Sequence, residues 1–141
     1  MRRFARSSVM AVLALFIVGA LLSNSSAVAD GYSLDFGAET DRGRDAGTVD
    51  CRFDQACDGK LESLALTVRV EVSRGKSLSA RVKLDGDNQG CCYFAGPTNS
   101  MFVDPHKLLN QVPLYKGMGA RGALFIENQR VGALYLRFNF R

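Results

Sequence analysis

Ser63 to Val72 reads SLALTVRVEV. Leu64, Leu66, Val68, Val70 and Val72 fall on one side of an extended chain, and Ala65, Thr67, Arg69 and Glu71 fall on the other. This period of two, with β-branched residues on the apolar side, predicts a strand with one face in a core and one in water. Ser73-Arg74-Gly75-Lys76-Ser77 then predicts a turn around a central glycine, and Leu78, Ala80, Val82 and Leu84 resume the alternation. Two such runs about a short glycine turn make an antiparallel hairpin.

Working outward, Asp85 to Gly90 (DGDNQG) is a second turn and Cys91 to Ala95 returns as a third strand. On the N-terminal side, Tyr32 to Phe36 alternates as a short strand, whereas 37–50 (GAETDRGRDAGTVD) is Gly-rich and charged and predicts a loop or mobile arm. Asp50, Asp54, Asp58 and Glu62 are spaced by four, but the cysteines and Gly59 among them argue for a loop of solvated carboxylates over a helix. Asp104-Pro105 has the form of an N-cap followed by a first-turn proline and predicts one helical turn to Asn110. Val112 to Tyr115 is a short edge strand, because Pro113 lacks a backbone donor. A last hairpin joins Ala123–Ile126 to Val131–Phe140, with apolar residues on both faces, as in a central strand pair.

No long segment after residue 29 has helical periodicity, and there is no internal repeat. The class is all-β: a small antiparallel sandwich or partly open barrel of roughly six to eight strands, stapled by disulfides. Residues 30–50 form a flexible N-terminal strand and loop, and 51–141 a single β-rich domain.

The first 29 residues read as a cleaved signal peptide. Arg2, Arg3 and Arg6 precede an apolar run from Val9 to Leu22, and Ala27-Val28-Ala29 offers small residues for a cut before Asp30. The run is too short for a spanning helix, which needs about 20 residues. The expected location is periplasmic or secreted, with nothing spanning the membrane after cleavage. The leader also explains the charge. The chain has 18 Lys and Arg against 14 Asp and Glu. Three of the basic residues and none of the acidic ones lie in the leader, which leaves 15 against 14. A nearly neutral mature domain gives no reason to expect a nucleic-acid partner.

Cys51, Cys57, Cys91 and Cys92 all follow the leader, and an even count in an exported chain predicts disulfides. Adjacent residues on a strand point to opposite faces, so two bridges tying Cys51 and Cys57 to Cys91 and Cys92 are favoured. A local Cys51–Cys57 loop with a vicinal Cys91–Cys92 bond is the alternative. The spacings do not match zinc knuckles, and there is no C-x-x-C for redox catalysis. Asp85, Asp87 and Gly90 match the opening of a calcium loop, but Gln89 and Gly96 stand where ligands are required. No metal or other cofactor is expected.

His106 is the single histidine, and no G-x-S-x-G elbow accompanies it. Binding is therefore the favoured class of function, and catalysis is disfavoured. With Val72 placed opposite Leu78, Arg69 faces Arg81 and Thr67 faces Lys83. Arg74 and Lys76 lie in the adjoining turn, so Arg69, Arg74, Lys76, Arg81 and Lys83 make a basic outer face. The expected partner is a protein or an anionic envelope component. The alternative is a small extracytoplasmic hydrolase using carboxylates brought together by the fold.

Overall fold

The computed structural model describes residues 30–86, 91–96, 98–116 and 129–140. Nine strands are present among them: β1 (Gly31–Thr40), β2 (Gly43–Arg52), β3 (Ala56–Leu61), β4 (Leu66–Arg74), β5 (Leu78–Gly86), β6 (Cys91–Tyr93), β7 (Ser100–Val103), β8 (Asn110–Lys116) and β9 (Gln129–Phe140). They form two antiparallel sheets. One has five strands in the order β2-β1-β9-β8-β6, and the other four in the order β3-β4-β5-β7.

The alternation read from SLALTVRVEV builds the centre of the four-stranded sheet. Leu66, Val68, Val70 and Val72 of β4 are buried, as are Ala80, Val82 and Leu84 of β5. Leu64 is also buried, but from a 3-10 turn (Glu62–Leu64) that precedes β4. The other sheet contributes Tyr32, Leu34, Phe36 and Ala38 from β1 and Leu134, Leu136 and Phe138 from β9. Both sets belong to one continuous apolar cluster. Each such valine, leucine or phenylalanine contributes roughly 1.5–3 kcal/mol by leaving water.

Residues 37–50, expected as a loop, are instead the end of β1 and most of β2, paired in register from Gly31↔Arg52 to Thr40↔Gly43. The glycines that suggested a loop make room for a ring. A Cβ at Gly47 would come within 2.9 Å of Phe36 Cζ, and one at Gly59 within 2.6 Å. Phe36 therefore lies over two bare backbones, one on β2 and one on β3. These are the strands where the two sheets meet. Asp45 strengthens that corner by accepting the Ser63 amide at 2.8 Å, and the Cys51–Cys57 disulfide closes its other end.

The cysteine pairing differs from the favoured one. Cys51 bonds Cys57, and Cys91 bonds its neighbour Cys92. The reason is topological. Cys51 lies on β2 and Cys91 on β6, at opposite edges of the five-stranded sheet. Four inter-strand steps of about 4.8 Å separate them along the sheet, far beyond the reach of a disulfide.

Three further expectations change. The 104–110 segment is a turn and not a helix: Asp104 Oδ1 accepts the His106 amide at 2.9 Å, and the buried Asn110 donates to the Asp104 carbonyl. β8 lies between β9 and β6, not at an edge, although β6 reaches only Tyr115 and Lys116 and leaves Pro113 uncovered on that side. β9 is central as expected, but its partners are β1 and β8. The expected strand at Ala123–Ile126 and most of the 85–90 turn lie outside the described residues. Among the described residues, no helix is long and apolar enough to cross a membrane.

Candidate binding cleft

Strand alternation that sends Leu34, Phe36 and Ala38 inward sends Asp35, Gly37 and Glu39 outward. Their cross-strand neighbours on β2 and β9 point the same way, which gives three rows. Asp35 lies between Thr48 and Arg137, Gly37 between Ala46 and Tyr135, and Glu39 between Arg44 and Ala133. Over these rows opens a cleft of about 640 Å³. Leu109 contributes to its lining from the β7–β8 connection and is 52% exposed.

The first row is a fixed polar end. Asp35 accepts hydrogen bonds from Thr48 Oγ1 at 2.8 Å, from Arg137 Nε at 2.8 Å and Nη2 at 2.6 Å, and from Asn139 Nδ2 at 3.0 Å. These donors, Thr48 first and then Arg137 and Asn139, hold its carboxyl down at about 2. Charge-assisted bonds of this kind fix both partners, so the Arg137 guanidinium is positioned before any ligand arrives.

The middle row makes the depression. Gly37 and Ala46 stand where neighbouring rows carry long side chains, and a Cβ at Gly37 would meet both the Ala46 Cβ and the Asp45 carbonyl at 3.2 Å. Tyr135 borders this low floor, with its hydroxyl 3.5 Å from the Gln111 amide nitrogen. The third row ends in Arg44 and Glu39, both exposed, neither engaged in an ion pair or side-chain hydrogen bond among the described residues. The lining thus presents the carboxylates of Asp35 and Glu39 and the guanidinium groups of Arg44 and Arg137, while the Asp45 carboxylate, on the other face of β2, holds the Ser63 amide. Asp45 is drawn below its ordinary value mainly by the Ser63 amide, with Ala46 adding to it. The cleft as a whole is close to electrically balanced.

The basic hairpin face has a different register from the one expected. Arg74 pairs with Leu78, so Arg69 stands opposite Lys83 and Glu71 opposite Arg81. The turn has three residues and not five, which shifts every pair by two. Carboxylates then meet most of the cations. Arg69 grips Asp58 through two bonds of 2.7 and 2.9 Å, and Lys83 lies 3.3 Å from Asp85. Arg74 reaches Asp30 at 3.0 Å and Asp54 at 3.1 Å. Arg81 sits over the exposed Phe102 ring at 5.1 Å, and Lys76 stays in the exposed turn. Four of the five residues lie on one sheet and Lys76 in its turn, but not as an uncompensated basic patch.

His106 is exposed and lies near Phe140, with ring centroids 6.2 Å apart. It belongs to an aromatic group with Tyr32, Phe53 and Phe138 at the end of the sheet. Tyr32 is buried there, and desolvation pushes its phenol up to about 12, partly offset by the Val72 backbone. No group of three or more His, Cys, Asp or Glu side chains among the described residues is arranged to hold a metal ion. No protein-family model, curated protein or solved structure matches the chain.

The sequence hides the cleft residues, because the segment that floors the cleft has the Gly-rich, charged composition of a loop. One signal was present. Residues 44, 46 and 48 alternate with Val49 and Cys51 about a Gly-bearing strand, and the same step of two runs through Asp35, Gly37 and Glu39.

Proposed function

We propose that residues 30–141 form an exported β-sandwich that acts as a binding module, with the ligand seated on the outer face of the five-stranded sheet. The observation that carries this is the cleft: a glycine–alanine floor, an aromatic border and polar ends, one of them fixed in advance by the Asp35 network. A volume of about 640 Å³ lies within the roughly 300–1,000 Å³ of small-ligand sites. Export is supported by the leader sequence and by two disulfides, which form and persist in oxidising compartments. Asp35, with its carboxyl held down by Thr48, Arg137 and Asn139, would be ionised near neutral pH and so would not serve as the general acid of the alternative hydrolase.

The chain should be expressed with its leader and recovered from the extracytoplasmic fraction. Intact mass is expected to give an N-terminus at Asp30 and two disulfides; a full-length cytosolic species with free thiols would sink the export reading. The recovered protein should then be screened by amide chemical shifts against oligosaccharides, organic acids and short peptides. Shifts at Gly37, Ala46 and Tyr135 are expected. Shifts confined to Arg69, Arg81 and Lys83 would return the site to the hairpin face.

A further inference from the structure

We infer that the cleft takes a chain of uncharged sugar residues, with Tyr135 as the stacking side chain. This rests on the cleft being the binding surface. Three observations on its chemistry carry the assignment.

Charge comes first. An anionic ligand would lie against Glu39, which has no cation bound to it among the described residues, and against Asp35. A cationic ligand would lie against Arg44, which likewise has no carboxylate bound to it among the described residues, and against Arg137. Opposite charges interleaved on one small surface penalise a net charge of either sign and favour a neutral polar ligand. The second observation is the mixture of hydrogen-bonding groups. Glu39 accepts only, while Arg44 and Arg137 donate only. A sugar hydroxyl donates and accepts at once, so it can satisfy both kinds of group along one edge of the cleft. The third is the middle row. A floor of Gly37 and Ala46 beside Tyr135 offers an apolar strip between two polar ends. A pyranose ring has the matching anatomy, with an apolar C–H face and a rim of hydroxyls, and aromatic rings pack on such faces. The cleft is open, so a longer chain can run out past Leu109 on its rim.

The test titrates the exported protein with neutral gluco-, manno- and galacto-oligosaccharides and, in parallel, with oligogalacturonate and an acidic peptide. The inference expects a neutral oligosaccharide to shift the Gly37, Ala46 and Tyr135 amides, with an affinity insensitive to salt, because no net charge is being screened. Tyr135→Ala should weaken that binding about tenfold or more, and Tyr135→Phe should largely restore it. Ala46→Phe, at an exposed position, should block the floor while leaving the amide spectrum dispersed. If oligogalacturonate or the peptide shifts these amides and no neutral sugar does, the sugar assignment is overturned and the cleft stands. If no probe shifts them, or if sugars act elsewhere, the assignment and the cleft fall together.

Discussion

At the centre of the four-stranded sheet, outward positions carry long side chains shoulder to shoulder. Asp58, Arg69 and Lys83 run up to Ser100 in one row, and Glu71, Arg81 and Phe102 follow Ala56 in the next. At the same depth on the five-stranded sheet, the middle row is Ala46, Gly37 and Tyr135. Both sheets obey the same alternation, and both bury their other face in one core. They differ in what was left off. The first surface has more charge but spends it internally, in pairs such as Arg69 with Asp58. The second has less side-chain volume and therefore has room for a guest. The room for a guest follows from missing side chains here, and not from the density of charge.

The comparison depends on Phe36, whose ring braces the sheet under the cleft by resting on Gly47 and Gly59. Phe36→Ala should give the largest effect, a loss of about 3–5 kcal/mol in denaturant unfolding, as expected for a buried aromatic. Gly59→Ala should come next, at about 1–3 kcal/mol, since its Cβ would lie 2.6 Å from the ring. In a Phe36→Leu background that cost should shrink, which a double-mutant cycle reads directly; an unchanged cost would remove the ring as the reason for the glycine.

A smaller effect is expected from Asp35. Its carboxyl titrates at about 2 in the folded protein, below the ordinary 3.8. A depressed carboxylate stabilises the fold fully above the unfolded value, and that stability is lost as pH falls through the folded one. Thermal melting should therefore decline between pH 3.8 and about 2, and Asp35→Asn should flatten that part of the profile. The smallest effect belongs to the charged sheet. Arg69→Gln with Arg81→Gln should leave ligand affinity at the cleft unchanged in the same titration, because exposed ion pairs act locally. A clear loss there would erase the distinction between the two surfaces.

How far the sequence disclosed this arrangement depended on where the apolar residues fell. β4 and β5 were legible because valines and leucines mark every second position. β9 was legible as a central strand for a similar reason. β2 was not, since GRDAGTVDCR carries so few apolar side chains that its strand character comes from its neighbours. Its partner β1 supplies the hydrogen bonds, and Phe36 supplies the bulk that Gly47 lacks. The hairpin register also escaped, because a three-residue and a five-residue turn preserve the same inward face and differ only in which charges meet. The candidate cleft lies on the part of the sheet that propensity describes least well.

The corner where Asp45 holds the Ser63 amide and Cys51 bonds Cys57 has a further consequence for solubility. A ten-residue strand at the margin of a sheet is ordinarily a template on which another chain can zip and start a fibril. In this protein that margin is stitched at both ends to the neighbouring sheet. Growth by strand addition along β2 would meet a margin already tied to its neighbour, unlike a bare edge strand.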